Sequence, residues 1–289
     1  MAKPDWLSLT YREIFKKNAM TSKEFIEQQI AAGYKVHYHD GLWWEQFRPF
    51  FYKPVIPFHE LIPGKVVPKF TKSFLGYKHL VSDRQLANQY WPILLLDNNK
   101  LQEYSIYSVH TPKRSQVRKG LKLTEIKRIE HIETAIEDIK NICISTRMRT
   151  KHGKPEKYYL TEEWKRWITK EFNLAKREWW GAYDGKKLIA YIYSVLIDET
   201  MFLRAAKSHT DTLEKCPNDA LIFSFLIYCK NLPDCKQVSF GDAGSSNTSL
   251  YKYKLRLGFE EIHLPVYAKY HTLIYLYKKS QLYFIQKRA

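Results

Sequence analysis

The stretch EWWGAYDGKKLIAYIYSVLI, residues 178–197, decides the fold. It holds two apolar runs rich in β-branched and aromatic residues, and the pair Asp184-Gly185 between them is a strong short-range signal for a hairpin turn. A third run of the same kind, TMFLRAA at residues 200–206, follows after a short polar break. The three runs predict consecutive antiparallel strands.

The elements on either side of this meander complete an α/β pattern. Hydrophobic periodicity and helix start signals predict them from residue 111 onward. In chain order they are a basic helix at 113–122, a strand at 123–129, helices at 132–148 and 161–175, the meander, a helix at 220–232, a strand at 237–242, a helix within 249–257 and two strands within 260–277. This order is typical of an α/β (α+β) layer fold, with helices flanking a mixed central sheet. The meander excludes a Rossmann series of alternating strands and helices.

The first 110 residues are less regular. The sequence predicts a helix within 6–33, and the alternating stretch YKVHYHDGLWWEQF at 34–47 predicts a hairpin with Asp40-Gly41 at its turn. Five prolines within 49–70 exclude long regular elements there and indicate an extended cover or linker. The stretch LQEYSIYSV at 101–109 predicts a strand.

The charge of the chain favours polyanionic partners. Its 289 residues carry a formal net charge of +17, and the cations are spread along the sequence. A folded surface with this imbalance attracts tRNA, a nucleotide-linked donor or anionic lipid headgroups. The alternative is a basic surface that only serves solubility. The net charge therefore favours polyanionic partners as a class but does not identify the partner.

The cysteines and the apolar stretches indicate a cytoplasmic protein. The four cysteines form no C-x-x-C pair and have no histidine at zinc-finger spacing, so we expect buried thiols in a reducing compartment and no metal site. The longest apolar stretch, 188–197, is far shorter than a membrane span. We expect no transmembrane segment, although contact with a membrane surface stays compatible with the charge.

Residues 249–257 form the candidate anion-binding helix. On a helix, Tyr251, Lys254 and Leu255 share one face, while Lys252 and Arg256 share another at a spacing of four residues. Acyl transfer to an amine needs a positive site for the developing oxyanion and a grip on the anionic carrier of the donor. These cations are candidates for both tasks. We assign Tyr251, Lys252 and Arg256 to donor binding, together with Arg204 in an earlier strand.

A second set of cations crowds the basic helix at 113–122. Like charges one turn apart repel unless an anion lies among them, so we expect phosphate contact here. A solvated helix is the alternative. Besides Lys113, the set consists of Arg114, Arg118, Lys119 and Lys122, which we assign to donor binding.

Two acidic residues are predicted at the ends of elements, Asp242 at the end of a strand and Asp219 at the start of a helix. Asp242 ends a strand before a Gly-Ser-rich loop, where it is a candidate to accept a proton from the amine or to orient it. The alternative is a turn in which the Asp242 side chain bonds the backbone ahead of Gly244. Asp219, after Pro217 and Asn218, is expected to cap the helix that begins there.

Three of these stretches together resemble the GNAT acyltransferase fold, and more narrowly its FemAB-like branch, whose members transfer an aminoacyl or acyl group to an amine. The stretch 113–126 resembles the basic helix that opens the second GNAT unit, and 178–196 resembles its hairpin. SFGDAGSSNTSLYKYKLRLGFEE, residues 239–261, resembles its strand, loop and aromatic-lysine helix. The resemblance implies a GNAT-like transferase domain at 111–289 and a reduced GNAT-like or accessory region at 1–110.

The resemblance also implies roles for individual residues. It places Tyr253 and Lys254 on the donor side of a reactive cleft. Our hypothesis is that Lys254 stabilises developing negative charge or a terminal phosphate there and that Tyr253 positions the acyl carrier. The alternative is a solvated basic helix whose tyrosines pack on the sheet. One departure concerns the donor: GNAT enzymes that use coenzyme A usually carry a glycine-rich loop, and the equivalent connection at 204–219 contains no glycine. That departure disfavours ordinary coenzyme A binding.

The sequence therefore leads to an N-acyltransferase hypothesis. Its favoured donor is aminoacyl-tRNA, with no bound cofactor. One alternative is an enzyme that uses acyl-CoA or an acyl-carrier protein, and another is a GNAT-shaped module without catalysis that binds nucleic acid or anionic lipid. The sequence indicates neither the amine acceptor nor the oligomeric state.

Overall fold

The computed structural model describes residues 19–39, 41–48, 50–56, 58, 60–62, 75–151, 153–244 and 248–271. Its helices are α1 (Ser22–Ala31), α2 (Asn98–Gln102), α3 (Thr111–Leu123), α4 (Ile132–Thr150), α5 (Glu156–Tyr159), α6 (Glu162–Asn173), α7 (Pro217–Lys230) and α8 (Ser249–Arg256). Its strands are β1 (Val36–His39), β2 (Leu42–Arg48), β3 (Phe51–Pro54), β4 (Gly76–Leu80), β5 (Gln89–Leu96), β6 (Glu125–Arg128), β7 (Arg177–Asp184), β8 (Lys187–Ile197), β9 (Thr200–Ser208), β10 (Gln237–Asp242) and β11 (Glu260–Tyr270). The element order is that of a mixed α/β fold, as predicted.

The chain forms two compact units. The first contains Leu94–Glu261 and the residues described before Ser22, and the second contains Ser22–Ile93 and the residues described from Ile262 onward. These units do not coincide with the division at residue 110 that the resemblance implies. The assignment of an accessory region and a transferase domain stays a prediction.

The first unit is built on the predicted meander. Its strand order is β10-β9-β8-β7-β6, with antiparallel pairs throughout except for parallel β9 and β10. Asp184 pairs with Lys187 across the β7–β8 turn, which confirms the predicted hairpin. Gly185 in that turn has a φ of 58°, a left-handed conformation that glycine adopts without steric cost. The resulting sheet is mixed, as the sequence predicted.

Two hydrophobic cores cover the two faces of this sheet. Successive side chains of a strand point to opposite faces, so neighbouring Trp179 and Trp180 of β7 enter different cores. Trp180 packs with residues of α3 and α7, including Val117 and Phe225. Trp179 packs with residues of α4 and α6, including Ile168. The unit is therefore a sheet between two layers of helices.

The second unit contains a sheet together with helix α1. Its strand order is β1-β2-β3-β4-β11, in which the β3–β4 pair is parallel and the others are antiparallel. The β1–β2 pair confirms the hairpin predicted at 34–47. Trp44, Tyr52, Leu61 and Tyr77 form a buried cluster.

The strand predicted at 101–109 is wrong. This segment contains the end of α2 and a series of turns, while the strand lies earlier, at β5. The Asp97 carboxylate accepts a hydrogen bond from Lys100 N at 3.0 Å and starts a helix there. Leu101 and Tyr104 are buried three residues apart, a helical spacing that the apparent alternation concealed.

The two strands predicted within 260–277 are represented by β11 alone in the described chain. Residues beyond 271 lie outside the described residues, as do the first residues of the helix predicted within 6–33 and much of the proline-rich segment. Of the cysteines, Cys143, Cys229 and Cys235 are buried as expected, whereas Cys216 is half-buried in the turn before α7.

Candidate active site

The candidate site begins where β9 and β10 separate. The two strands pair from Thr200 and Gln237 up to Phe202 and Ser239, after which both continue without pairing to each other. Separated parallel strands leave backbone groups of the shorter strand available for other partners. In α/β folds, functional groups commonly gather at such carboxyl ends of strands.

Lys254 of α8 binds the separated end of β10. Its side chain is buried, with 6% of the residue exposed, and Nζ donates to the carbonyl oxygen of Phe240 at 2.8 Å and to that of Asp242 at 3.3 Å. Nζ also lies 4.6 Å from the centre of the Phe240 ring. An ammonium group has three N–H donors, so these carbonyls use two of them. Lys254 is therefore buried, unlike the cations of the solvated basic helix that was the alternative.

The environment of Lys254 lowers the pKa of its ammonium group. Burial lowers the pKa of the ammonium, and the nearby negative charge of Asp242 opposes that change. The remaining N–H is thus carried by a partly desolvated cation, in which a new electrostatic contact is stronger than it would be in water.

Asp242 forms the predicted turn. Its Oδ1 accepts a hydrogen bond from Gly244 N at 2.7 Å, the contact expected of an aspartate that shapes a turn. The side chain is exposed, whereas its backbone carbonyl is held by Lys254. The role of Asp242 as a base stays a prediction, and Ser245, Ser246 and Asn247 of the same loop lie outside the described residues.

Tyr253 lies in a buried charged cluster on another face of α8. Its hydroxyl is buried beside the Asp219 carboxylate. Lys113 Nζ of α3 lies 2.7 Å from Asp219 Oδ1 and 4.5 Å from the centre of the Tyr253 ring. Burial, followed by the negative charge of Asp219, raises the pKa of Tyr253. The cluster joins α3, α7 and α8.

Asp219 does not cap α7 as expected. The residue before the helix is Cys216, in a left-handed conformation with a φ of 53°, and no side chain caps the helix start. Asp219 instead forms the ion pair with Lys113, and both side chains are about nine-tenths buried. Burial raises the pKa of the Asp219 carboxyl although Lys113 acts in the opposite direction. The only sequence signal for this buried ion pair was the position of Asp219, a carboxylate at the start of a largely apolar helix.

The cations of α3 divide into two groups. Lys113 and Arg114 have partners inside the protein, since Arg114 Nε donates to Val109 O and its Nη2 to Tyr107 O, both at 2.8 Å. The other three are exposed and form no ion pair within the described chain: Arg118, Lys119 and Lys122. These three remain the predicted phosphate contacts, because their charges have no counterpart in the described chain.

The outer face of α8 is similarly mixed. The Tyr251 hydroxyl donates to the Glu261 carboxylate, and this hydrogen bond raises the pKa of Tyr251. Lys252 and Arg256 are exposed, one turn apart. Arg204 is exposed on β9, with its guanidinium 5.8 Å from the centre of the Phe202 ring. All four remain predicted donor contacts.

Two negative findings limit what else the described residues form. They contain no group of three histidine, cysteine, aspartate or glutamate residues placed to hold a metal ion. Within the same part of the chain, no helix combines the length and hydropathy that a membrane crossing requires.

Comparisons with known proteins identify the fold. No protein-family model matches the chain, and no curated protein matches it in sequence. The crystal structure of FemX superposes with a TM-score of 0.57 over 88% of this chain and 92% of its own, at 10% sequence identity. A conserved protein of unknown function from Bacteroides thetaiotaomicron also gives a TM-score of 0.57, at 10% identity, over 85% and 88% of the two chains.

A third similar structure is the C-terminal domain assigned to a lysylphosphatidylglycerol synthetase of Agrobacterium fabrum. It gives a TM-score of 0.54 at 9% identity and covers 83% of this chain and 85% of its own. At such low identity the likeness concerns the fold and not the activity. The mixed sheet flanked by helices, the meander and these superpositions establish that the chain has a GNAT-like fold of the FemAB type.

Proposed function

We propose that the protein is an N-acyltransferase that moves an aminoacyl or acyl group from an activated polyanionic donor to an amine. The observation that carries the proposal is the buried Lys254 ammonium at the separated end of β10. A desolvated cation with one N–H that no described residue accepts suits an oxygen that becomes negative during acyl transfer.

For an aminoacyl-tRNA donor, the reaction exchanges one bond to the acyl carbon for another. The neutral amine attacks the ester carbonyl carbon, a C–N bond forms and the C–O bond to the ribose breaks. The amine loses a proton and the departing ribose oxygen gains one. We assign Lys254 to the negative charge on oxygen and the exposed carboxylate of Asp242 to the proton of the amine.

The start of α7 favours this donor over coenzyme A. A pyrophosphate bound at a helix start needs close approach to free N–H groups. Here the connection at 204–219 has no glycine, and the carboxylate of Asp219 lies within the first turn of the helix. The net charge of +17 is further support for a donor as anionic as tRNA.

Two other functions remain candidates. An enzyme that uses acyl-CoA or an acyl-carrier protein would need a donor grip elsewhere, for which the exposed cations of α3 qualify. A binding module without catalysis would use the same cations for nucleic acid or anionic lipid. The three candidates differ in the donor that they consume.

A donor-consumption assay tests the proposal. The protein is incubated with cell extract as the source of acceptors, together with either charged tRNA or acetyl-CoA, and loss of each donor is followed. We expect loss of aminoacyl ester from tRNA above the rate of extract alone. Loss of acetyl-CoA only would favour the second candidate, and loss of neither would favour the binding module.

A further inference from the structure

Tyr107 is displayed on the surface in an unusual way. Its relative exposure of 74% is the highest among the exposed large hydrophobic residues of the described chain. It lies in the turn-rich segment between α2 and α3, where neighbouring Tyr104 and Val109 are fully buried. An exposed ring on a segment anchored on both sides differs from an aromatic residue on a loose loop.

The Tyr107 ring forms a cation–π contact with Arg114. The Arg114 guanidinium lies 5.4 Å from the centre of the Tyr107 ring, and its Nη2 donates to Tyr107 O at 2.8 Å. Within the segment, Ser105 O accepts from Ser108 N at 3.0 Å, and Ser105 Oγ accepts from Tyr107 N at 3.3 Å. These contacts fix the backbone before any ligand arrives, which reduces the entropy lost on binding.

The two helices that adjoin this segment carry exposed cations. His110 N donates to Arg256 O at 2.9 Å, so the end of α8 adjoins the segment that carries Tyr107. Lys252 lies one turn before Arg256 on α8, and Arg118 lies one turn after Arg114 on α3. The side chains of Lys252, Arg256 and Arg118 are exposed. An exposed aromatic ring on a segment that adjoins two basic helices has the composition of a single-strand binding surface, in which bases stack and cations follow the phosphates.

We propose that Tyr107 is a stacking platform for an unpaired base of a single-stranded nucleic acid, whose phosphates contact Arg118, Lys252 and Arg256. The base would stack on the Tyr107 ring, which the Arg114 guanidinium already contacts. This combination suits any base because each base has a π face. The inference builds on the proposed function, since aminoacyl-tRNA carries its acyl group on an unpaired 3′ end.

A nucleic acid fits this surface better than a membrane does. Membrane contact by a single tyrosine needs exposed aliphatic neighbours that enter the lipid together with it. Beside Tyr107, Ile106 is packed against the protein core and Val109 is buried. The adjoining helices α3 and α8 expose cations such as Arg118 and Arg256, which suit a phosphate backbone.

The experiment measures binding of a fluorescent single-stranded RNA of about eight nucleotides by anisotropy at low salt. The variants are Tyr107→Ala, Tyr107→Phe and, as a matched control, Tyr90→Ala, which removes another tyrosine that is 55% exposed. We expect Tyr107→Ala to weaken binding by about 5- to 100-fold, because loss of one stacked base has that effect. Tyr107→Phe and Tyr90→Ala are expected to bind within about twofold of wild type.

Salt dependence separates stacking from charge. Tyr107→Ala is expected to leave the slope of log affinity against log salt unchanged, whereas Arg256→Gln reduces it by about one phosphate contact. RNA binding that is absent in the wild type, or equal in wild type and Tyr107→Ala, overturns the proposal. So does Tyr107-dependent binding to vesicles of anionic lipid without RNA binding. The donor-consumption assay is independent, so acetyl-CoA consumption would reject the tRNA donor without deciding this point.

Discussion

Lys254 and Asp219 are both charged residues inside the first unit, and they are accommodated differently. Two backbone carbonyls hold the Lys254 ammonium, whereas a lysine side chain of another helix holds the Asp219 carboxylate. In both cases burial is the largest influence on the pKa and favours the neutral form. Burial therefore makes the charged form of each residue costly in free energy, and such shifts occur both at functional sites and in structural ion pairs.

The pH dependence of stability reports the state of Asp219. Because the folded protein raises the pKa of this carboxyl above its ordinary value of 3.8, the folded state binds a proton more tightly than the unfolded state does. Its contribution to stability is therefore fully present below that ordinary value and is lost as pH rises through the folded-state pKa. Asparagine cannot titrate and lacks this contribution.

We expect the free energy of unfolding of the wild type, relative to Asp219→Asn, to fall as pH rises from about 4 toward 7. Urea unfolding of the two proteins at matched pH values measures the difference, in which the titration of other shared groups cancels. A difference that stays constant, or that grows with pH, contradicts a raised pKa at Asp219.

At the scale of elements, α3 and α7 approach each other closely at Gly120. A Cβ atom on this glycine would lie 2.5 Å from Cys216 O and 2.8 Å from the Ala220 Cβ. The close approach brings Lys113 of α3 to Asp219 of α7. The basic helix is thereby fixed to the helix that follows β9.

Gly120→Ala is expected to lower the free energy of unfolding by about 1–3 kcal/mol, because overpacking outweighs the gain of about 1 kcal/mol in helix propensity. Ser115→Ala on the exposed side of α3 is the control and is expected to change stability by at most about 0.5 kcal/mol. Urea unfolding midpoints give both values. Stabilisation by Gly120→Ala would show that the helices are not in close contact there.

The elements that the sequence predicted correctly are those with strong local signals. The hairpin of β7 and β8 has a turn pair between apolar runs, and α3 has a proline at its start. The segment 101–109 failed because its buried residues belong to a short helix and turns whose spacing imitates alternation. Local patterns also could not reveal the pair Lys113–Asp219, because its members are 106 positions apart in sequence and meet only through helix packing.

At the scale of the whole molecule, the sequence predicted the GNAT-like fold from the order of several weak motifs. The resemblance also placed Tyr253 and Lys254 together on the donor side of a cleft, and that assignment stays a prediction, since Lys254 contacts the end of β10 and Tyr253 lies in the cluster with Lys113 and Asp219. The net charge of +17 predicted a polyanionic partner, but only the structure separates cations with internal partners from exposed ones. The exposed set remains the predicted contact for an anionic donor.

The most direct test compares Lys254→Met with Lys252→Met in the donor-consumption assay. Both changes remove one positive charge from α8, but only Lys254 is buried at the end of β10. We expect Lys254→Met to slow consumption of the donor by about 100-fold, as loss of a group that stabilises an oxyanion does, and Lys252→Met to slow it by less than about tenfold. Thermal unfolding checks that both proteins are folded. Equal rates of donor consumption by Lys254→Met and the wild type would then contradict the role of Lys254.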